Sequence, residues 1–182
     1  VFEALSFIHQ MGMLVVHWNP RFVLTNLING TTKFTNIWHV HTQEEVKDKK
    51  LDFNPLYTAP EVIAERTVDE RSDLYSVAAM MLEAWQGGGP IYQDTRSGRH
   101  LGLVLDGMTK EKEADVMVHK ASLTQAPDEL SHGLVFKLLK KKPEERGFND
   151  AQDVINYIYD TWPDVRKPTK DLYGKVMTTM RL

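Results

Sequence analysis

A mainly α domain with short β hairpins is the fold class this sequence predicts, and three observations carry the prediction. Leu74, Val77, Ala78, Met81, Leu82 and Trp85 recur at helical spacing, and two later sets, Leu130, Leu134, Leu138 and Ala151, Val154, Ile155, Ile158, repeat the pattern. Asn29-Gly30 stands between short apolar runs, where a tight hairpin turn would sit. At 182 residues and 42% hydrophobic content the chain is long enough to bury one sizeable core without staples.

In chain order, Val1, Phe2, Leu5 and Ile8 predict an amphipathic helix stopped by Gly12. The chain opens on Val1 rather than methionine, so we expect a segment of a longer polypeptide. Leu14-Val15-Val16 and Phe22-Val23-Leu24 read as short strands, with Lys33-Phe34-Thr35 returning after the Asn-Gly turn. From Trp38 to Tyr57 the chain is polar and without period, which predicts a long loop. The helix through 74–85 ends at Gly87-Gly88-Gly89-Pro90, and Ala79, Met80 and Ala84 make its other faces apolar, as in a central helix buried nearly all round. Glycines at 98, 102 and 107 interrupt any pattern between Ile91 and Met108, so no element is assigned there. The helix marked by Leu130 ends before Pro143, and the next is given Asn149 and Gln152 as a capping pair. A last amphipathic helix is expected within 169–180, with Leu172, Tyr173, Val176, Met177 and Met180 on one side, docked on its own domain.

Composition excludes several classes of function. There is no cysteine, hence no disulfide, thiolate metal site or cysteine nucleophile. The 22 basic and 25 acidic residues leave a net charge of -3, no basis for holding nucleic acid by bulk electrostatics. No apolar run approaches the roughly 20 residues a membrane span needs, and the N-terminus lacks a signal-peptide pattern. These features predict a soluble, intracellular, cytoplasmic protein without a cofactor.

Four landmarks fall in one order: His17-Trp18-Asn19, Asn36-Ile37-Trp38, Ala59-Pro60-Glu61 and Ser72-Asp73-Leu74-Tyr75-Ser76, followed by Pro143-Glu144-Glu145-Arg146. This series resembles the C-terminal lobe of protein kinases over nearly the whole chain. The resemblance implies a kinase-like C-lobe without an N-lobe: 1–61 as truncated first helix, degenerate catalytic loop and activation segment, 62–165 as the helical subdomain, and 166–182 as the C-terminal helix. It implies a buried pair of Glu61 with Arg146, and an Asp73 that accepts hydrogen bonds from the backbone around His17 and Trp18. His17 and Ile37 fall where the family stacks its internal spine. No glycine-rich phosphate loop, strand lysine or glutamate-bearing helix is found, and Gly87-Gly88-Gly89 ends a helix where a phosphate cradle would begin one.

The same alignment predicts lost chemistry. Asn19 stands where the family has the aspartate that orients the attacking hydroxyl, and an amide cannot take its proton. Asn36 and Leu24 replace the aspartate and asparagine that hold magnesium, leaving a neutral amide and an alkyl group for a dication. Arg21 replaces the loop lysine, Asn26 the apolar floor of the adenine site, Trp18 the arginine that anchors a phosphate, and Trp38 the hinge glycine.

A lower lobe so altered is similar to the kinase non-catalytic C-lobe domain, whose members bind protein segments, including tails of actin-nucleating formins. The chain is therefore expected to be a pseudokinase: no enzyme, with protein partners, no nucleic acid, no membrane insertion, and a place in a larger assembly. The alternatives are the C-lobe of a split or cropped atypical kinase, with a base such as His39 in place of the lost carboxylate, and a permanent structural subunit. Phe53, Tyr57, Ile91 and Tyr92, with Trp85, lie around the segment that contacts substrate peptides in active relatives and are candidates for a protein-binding groove. His39 and His41 alternate like two metal ligands near His17, but no third ligand is specified, so no metal site is expected and the histidines are given to solvent. Lys137, Lys140, Lys141 and Lys142 are read as a solvated helix end suited to the helix dipole.

Overall fold

The computed structural model describes residues 1–26, 31–35, 37–48, 52–54, 56–85 and 129–163. The expected turn at Asn29-Gly30, Asn36, Ile91, Tyr92 and the helix within 169–180 lie outside the described residues. Among those described, six α-helices and two two-stranded antiparallel sheets form the architecture. It is mainly helical and matches a kinase C-lobe arrangement without a clear N-lobe.

Helix α1 (Phe2–Gln10) buries Phe2, Leu5, Ser6 and His9, one side of a helix at i, i+3, i+4 and i+7. It ends where Gly12 takes φ +70°, a conformation glycine adopts without a steric penalty. Strand β1 (Met13–Val15) follows, then a 3₁₀ turn at Pro20–Phe22, strand β2 (Val23–Thr25) and strand β3 (Thr32–Phe34). Strands β2 and β3 pair with Val23 opposite Phe34 and Thr25 opposite Thr32, so the two flanking runs do meet as a hairpin.

The segment read as a long loop from Trp38 is instead structured. A 3₁₀ turn at Ile37–His39 leads into strand β4 (Val40–Thr42), which pairs with β1, and into helix α2 (Gln43–Asp48). The helix starts on a reciprocal capping box: Glu45 N–H donates to Thr42 Oγ1 at 3.2 Å, and Thr42 N–H donates to Glu45 Oε2 at 3.1 Å. Strand alternation then builds two layers. Val15 faces the main core, while Leu14 and Val16 face the other way and bury Val46 of α2 between them.

Helix α3 (Pro60–Glu65) has Pro60 in its first turn and is closed by Arg66 in the left-handed region at φ 59°. Helix α4 (Glu70–Trp85) is the post of the domain: every residue from Ser72 to Met80 is buried, while Ala84, near its end, is exposed. Helix α5 (Glu129–Leu138) packs on α4, and helix α6 (Ala151–Thr161) on α1. The cap of α6 is one residue later than expected. Asp150 Oδ1 accepts from the N–H groups of Gln152 and Asp153 at 2.7 and 3.0 Å, while Asn149 donates to Asp153. Among the described residues no helix is long and apolar enough to cross a membrane.

Candidate functional site

The segment whose sequence resembles a kinase catalytic loop leaves β1 at His17, passes the 3₁₀ turn at Pro20–Phe22 and enters β2, where Leu24 lies. Asn19 is extended, and its side-chain oxygen accepts the Arg21 N–H at 3.0 Å, capping the 3₁₀ turn that Pro20 opens. That oxygen therefore serves the backbone of its own loop. Leu24 lies on β2 with 58% of its surface exposed, and Trp38 is 82% exposed. Trp18 is buried, its ring 5.0 Å from that of Phe34, which ties the loop to β3.

Behind the loop sits Asp73. Its carboxylate accepts the Val15 N–H at 2.8 Å, the Trp18 indole N–H at 2.6 Å and His9 Nε2–H at 3.2 Å. The tautomer of His9 follows from its other nitrogen. Nδ1 accepts the Ala151 N–H at 3.3 Å, so the ring proton is on Nε2. The expected ties from the backbone around His17 and Trp18 thus come from the Val15 backbone and the Trp18 ring instead. Burial pushes the Asp73 carboxyl above its ordinary value, while its bonds to His9, Val15 and Trp18 pull the other way. One carboxylate on α4 gathers α1, β1, the loop and, through His9, the start of α6.

Glu61 and Arg146 make a second buried cluster. The guanidinium donates to Glu61 Oε1 at 2.8 Å and Oε2 at 2.7 Å, a bidentate pair. Its remaining donors reach the carbonyls of Lys140 at 3.0 Å, Arg71 at 2.9 Å and Lys141 at 3.3 Å, so all five N–H groups of the fork have acceptors. Ser72 Oγ–H adds a bond to Glu61 Oε1 at 2.9 Å, and the Tyr75 ring lies 5.1 Å from the guanidinium carbon. The cluster joins α3, α4 and the turn at Pro143–Arg146.

The candidate groove residues separate. Tyr57 is buried in the main core, where burial and a hydrogen bond with Glu83 push its phenol well above the ordinary range. It is a packing residue, because a side chain closed off on the core side has no surface to offer a partner. Phe53 is half-buried with the Arg66 guanidinium 5.2 Å above its ring.

The histidines divide as well. His17 and His39 stack with ring centroids 4.6 Å apart, and His17 Nδ1 is 3.7 Å from the Asp52 carboxylate. His41 turns toward α2, its Nδ1 3.9 Å from Glu45. Burial, together with the neighbouring His17, lowers the pKa of His39. Sequence reasoning found His17 and His39 but not Asp52, which sits in a polar stretch with no pattern. It also passed over His9, although the residue continues the i, i+3, i+4 stripe of α1.

Comparison with known proteins bears on the whole layout. No protein-family model matches the chain. It is 26% identical over 149 residues to the serine/threonine-protein kinase ULK3 of Xenopus laevis, covering 79% of this chain and 29% of that protein. It is 29% identical over 161 residues to the serine/threonine-protein kinase pak-2 of Caenorhabditis elegans, covering 87% of this chain and 28% of the relative. Against the serine/threonine-protein kinase ATG1 of Pichia angusta, identity is 32% over 108 residues, or 59% of this chain and 12% of that kinase. The chain spans less than a third of the length of these curated relatives. These matches make the chain a distant homologue of serine/threonine protein kinases.

Proposed function

We propose that the chain is a catalytically inactive kinase-like lobe, a pseudokinase module that works by binding protein within a larger assembly. The observation that carries the reading is the use of Asn19: its side-chain oxygen caps the following turn, at the position where phosphoryl transfer needs a free carboxylate. Leu24 supports it, since an exposed alkyl group stands at a metal-ligand position and offers magnesium no oxygen. Asn36, read from sequence, removes the second ligand. Residues 1–182 act as a single lobe in this reading, in the cytoplasm, and bind neither nucleic acid nor nucleotide.

The exposed Leu24 and Trp38 support protein binding, because large apolar side chains left in solvent favour association. Of the groove named from sequence, Phe53, Ile91 and Tyr92 stay in the proposal and Tyr57 leaves it. A second reading, the lower lobe of a split or cropped kinase, is favoured by the homology to working enzymes.

Thermal-shift titration with Mg-ATP separates the two. The inactive module shows no change in melting temperature up to millimolar nucleotide, whereas saturable stabilisation would favour the enzyme.

A further inference from the structure

We propose that His17, His39 and Asp52 form a binding site for a divalent transition-metal ion, with zinc the ion its donor set suits best. Among the described residues this is the one group of three such side chains whose ligand atoms come together, one from each residue, all within 4.8 Å of one another. The site goes beyond the module reading and does not rest on it, since the ion needs neither nucleotide nor a partner protein.

The fold, rather than chance proximity, brings the two histidines together. Val15 is in register with Val40, and the Val16 N–H donates to the His39 carbonyl at 3.2 Å, which sets His39 beside Val16, the chain neighbour of His17. Their rings are inclined by 30° with centroids 4.6 Å apart. Phe22, its ring centroid 6.0 Å from that of His17, walls one side with hydrocarbon. Asp52 supplies the carboxylate, with Oδ2 3.7 Å from His17 Nδ1.

Tetrahedral zinc with bonds near 2.0–2.2 Å holds its ligand atoms about 3.4 Å apart, so atoms up to 4.8 Å apart must close by at most about 1.4 Å on the ion. The means to do so are present: the Asp52 side chain is 78% exposed, on a stretch outside any helix or strand, and can swing inward. Two imidazoles and one carboxylate are borderline donors that suit zinc rather than magnesium or calcium, and they leave a fourth position for water or a partner's side chain. His41, directed at Glu45, takes no part. An ion here would clamp the catalytic-loop remnant to the chain beyond α2.

The test is titration of the chain with Zn²⁺, and in parallel with Co²⁺ as a spectroscopic probe, with Mg²⁺ as the control. One equivalent of zinc should bind and raise the melting temperature, and cobalt should give the intense visible bands of a low-coordinate site. Asp52→Asn, on an exposed stretch, leaves the fold intact and should weaken binding at least about tenfold, the lower bound for losing even an outer support. His39→Ala should weaken it further, and His41→Ala should leave it unchanged. Absence of saturable binding would overturn the proposal, as would zinc binding that Asp52→Asn and His39→Ala leave intact or that His41→Ala abolishes.

Discussion

Two regions of this lobe lie side by side and have opposite character. Around Asp73, Glu61 and Arg146, buried polar groups are matched donor to acceptor across widely separated parts of the chain. In the loop from Asn19 to Leu24 the Asn19 side chain caps its own turn, and the large apolar side chains of Leu24 and Trp38 stand in water. Stranding a buried charge costs several kcal/mol, so the first region resists change as long as the fold is needed. Nothing comparable protects a loop at the surface, where only a chemical task would hold residue identities. The contrast is that of a buried, cross-braced scaffold beside an exposed surface loop.

Substitutions can break or sharpen that contrast. Arg146→Ala should cost about 3–5 kcal/mol of stability in urea denaturation, because Glu61 is left charged and buried. Lys142→Ala, which removes a surface pair to Glu145 at 3.6 Å, should cost at most about 1 kcal/mol. Asp73→Asn should lose about 3 kcal/mol, since an amide cannot accept from all the donors aimed at the carboxylate. It should also change the pH profile. The folded-state pKa of Asp73 lies above its ordinary 3.8, so the folded chain takes up the proton more readily than the unfolded one. That contribution is fully present below 3.8 and lost as pH rises through the folded value, a slope the asparagine variant should lack. Asp150→Ala removes the cap of α6 and should cost about 1 kcal/mol. Leu24→Asn, on the exposed strand β2, should stay within about 0.5 kcal/mol of the parent in the same denaturation series.

How far the sequence could be read follows the same division. Helix α4 was legible because its apolar residues recur over four turns and a glycine run follows in the sequence, and the Glu61–Arg146 partnership was legible only through family resemblance. Strand β4 and helix α2 were missed for separate reasons. Val40–Thr42 is too short to show alternation, with His41 at its centre, and α2 was hidden by its charge although Thr42-Gln43-Glu44-Glu45 spells a capping box. For Asp73, sequence order could point to the neighbourhood of Trp18 but not to the indole nitrogen, since which atom donates is settled by side-chain packing. Tyr57 was named for its place around the segment that contacts substrate peptides in active relatives, and family position carries no sign that the core closes over its side chain. Asp52 carried no signal, as three-dimensional convergence alone gives it neighbours.

The central claim is that the scaffold of a phosphotransferase persists here without its chemistry. A radiolabelled γ-phosphate transfer assay on the chain and on its Asn19→Asp/Asn36→Asp variant, with Mg-ATP and a mixed peptide acceptor, tests it most directly. The account predicts no transfer by either protein, because restoring two carboxylates leaves Leu24 and Asn26 in place at the metal and nucleotide positions. Turnover by either protein, the unaltered chain or the double variant, would contradict it.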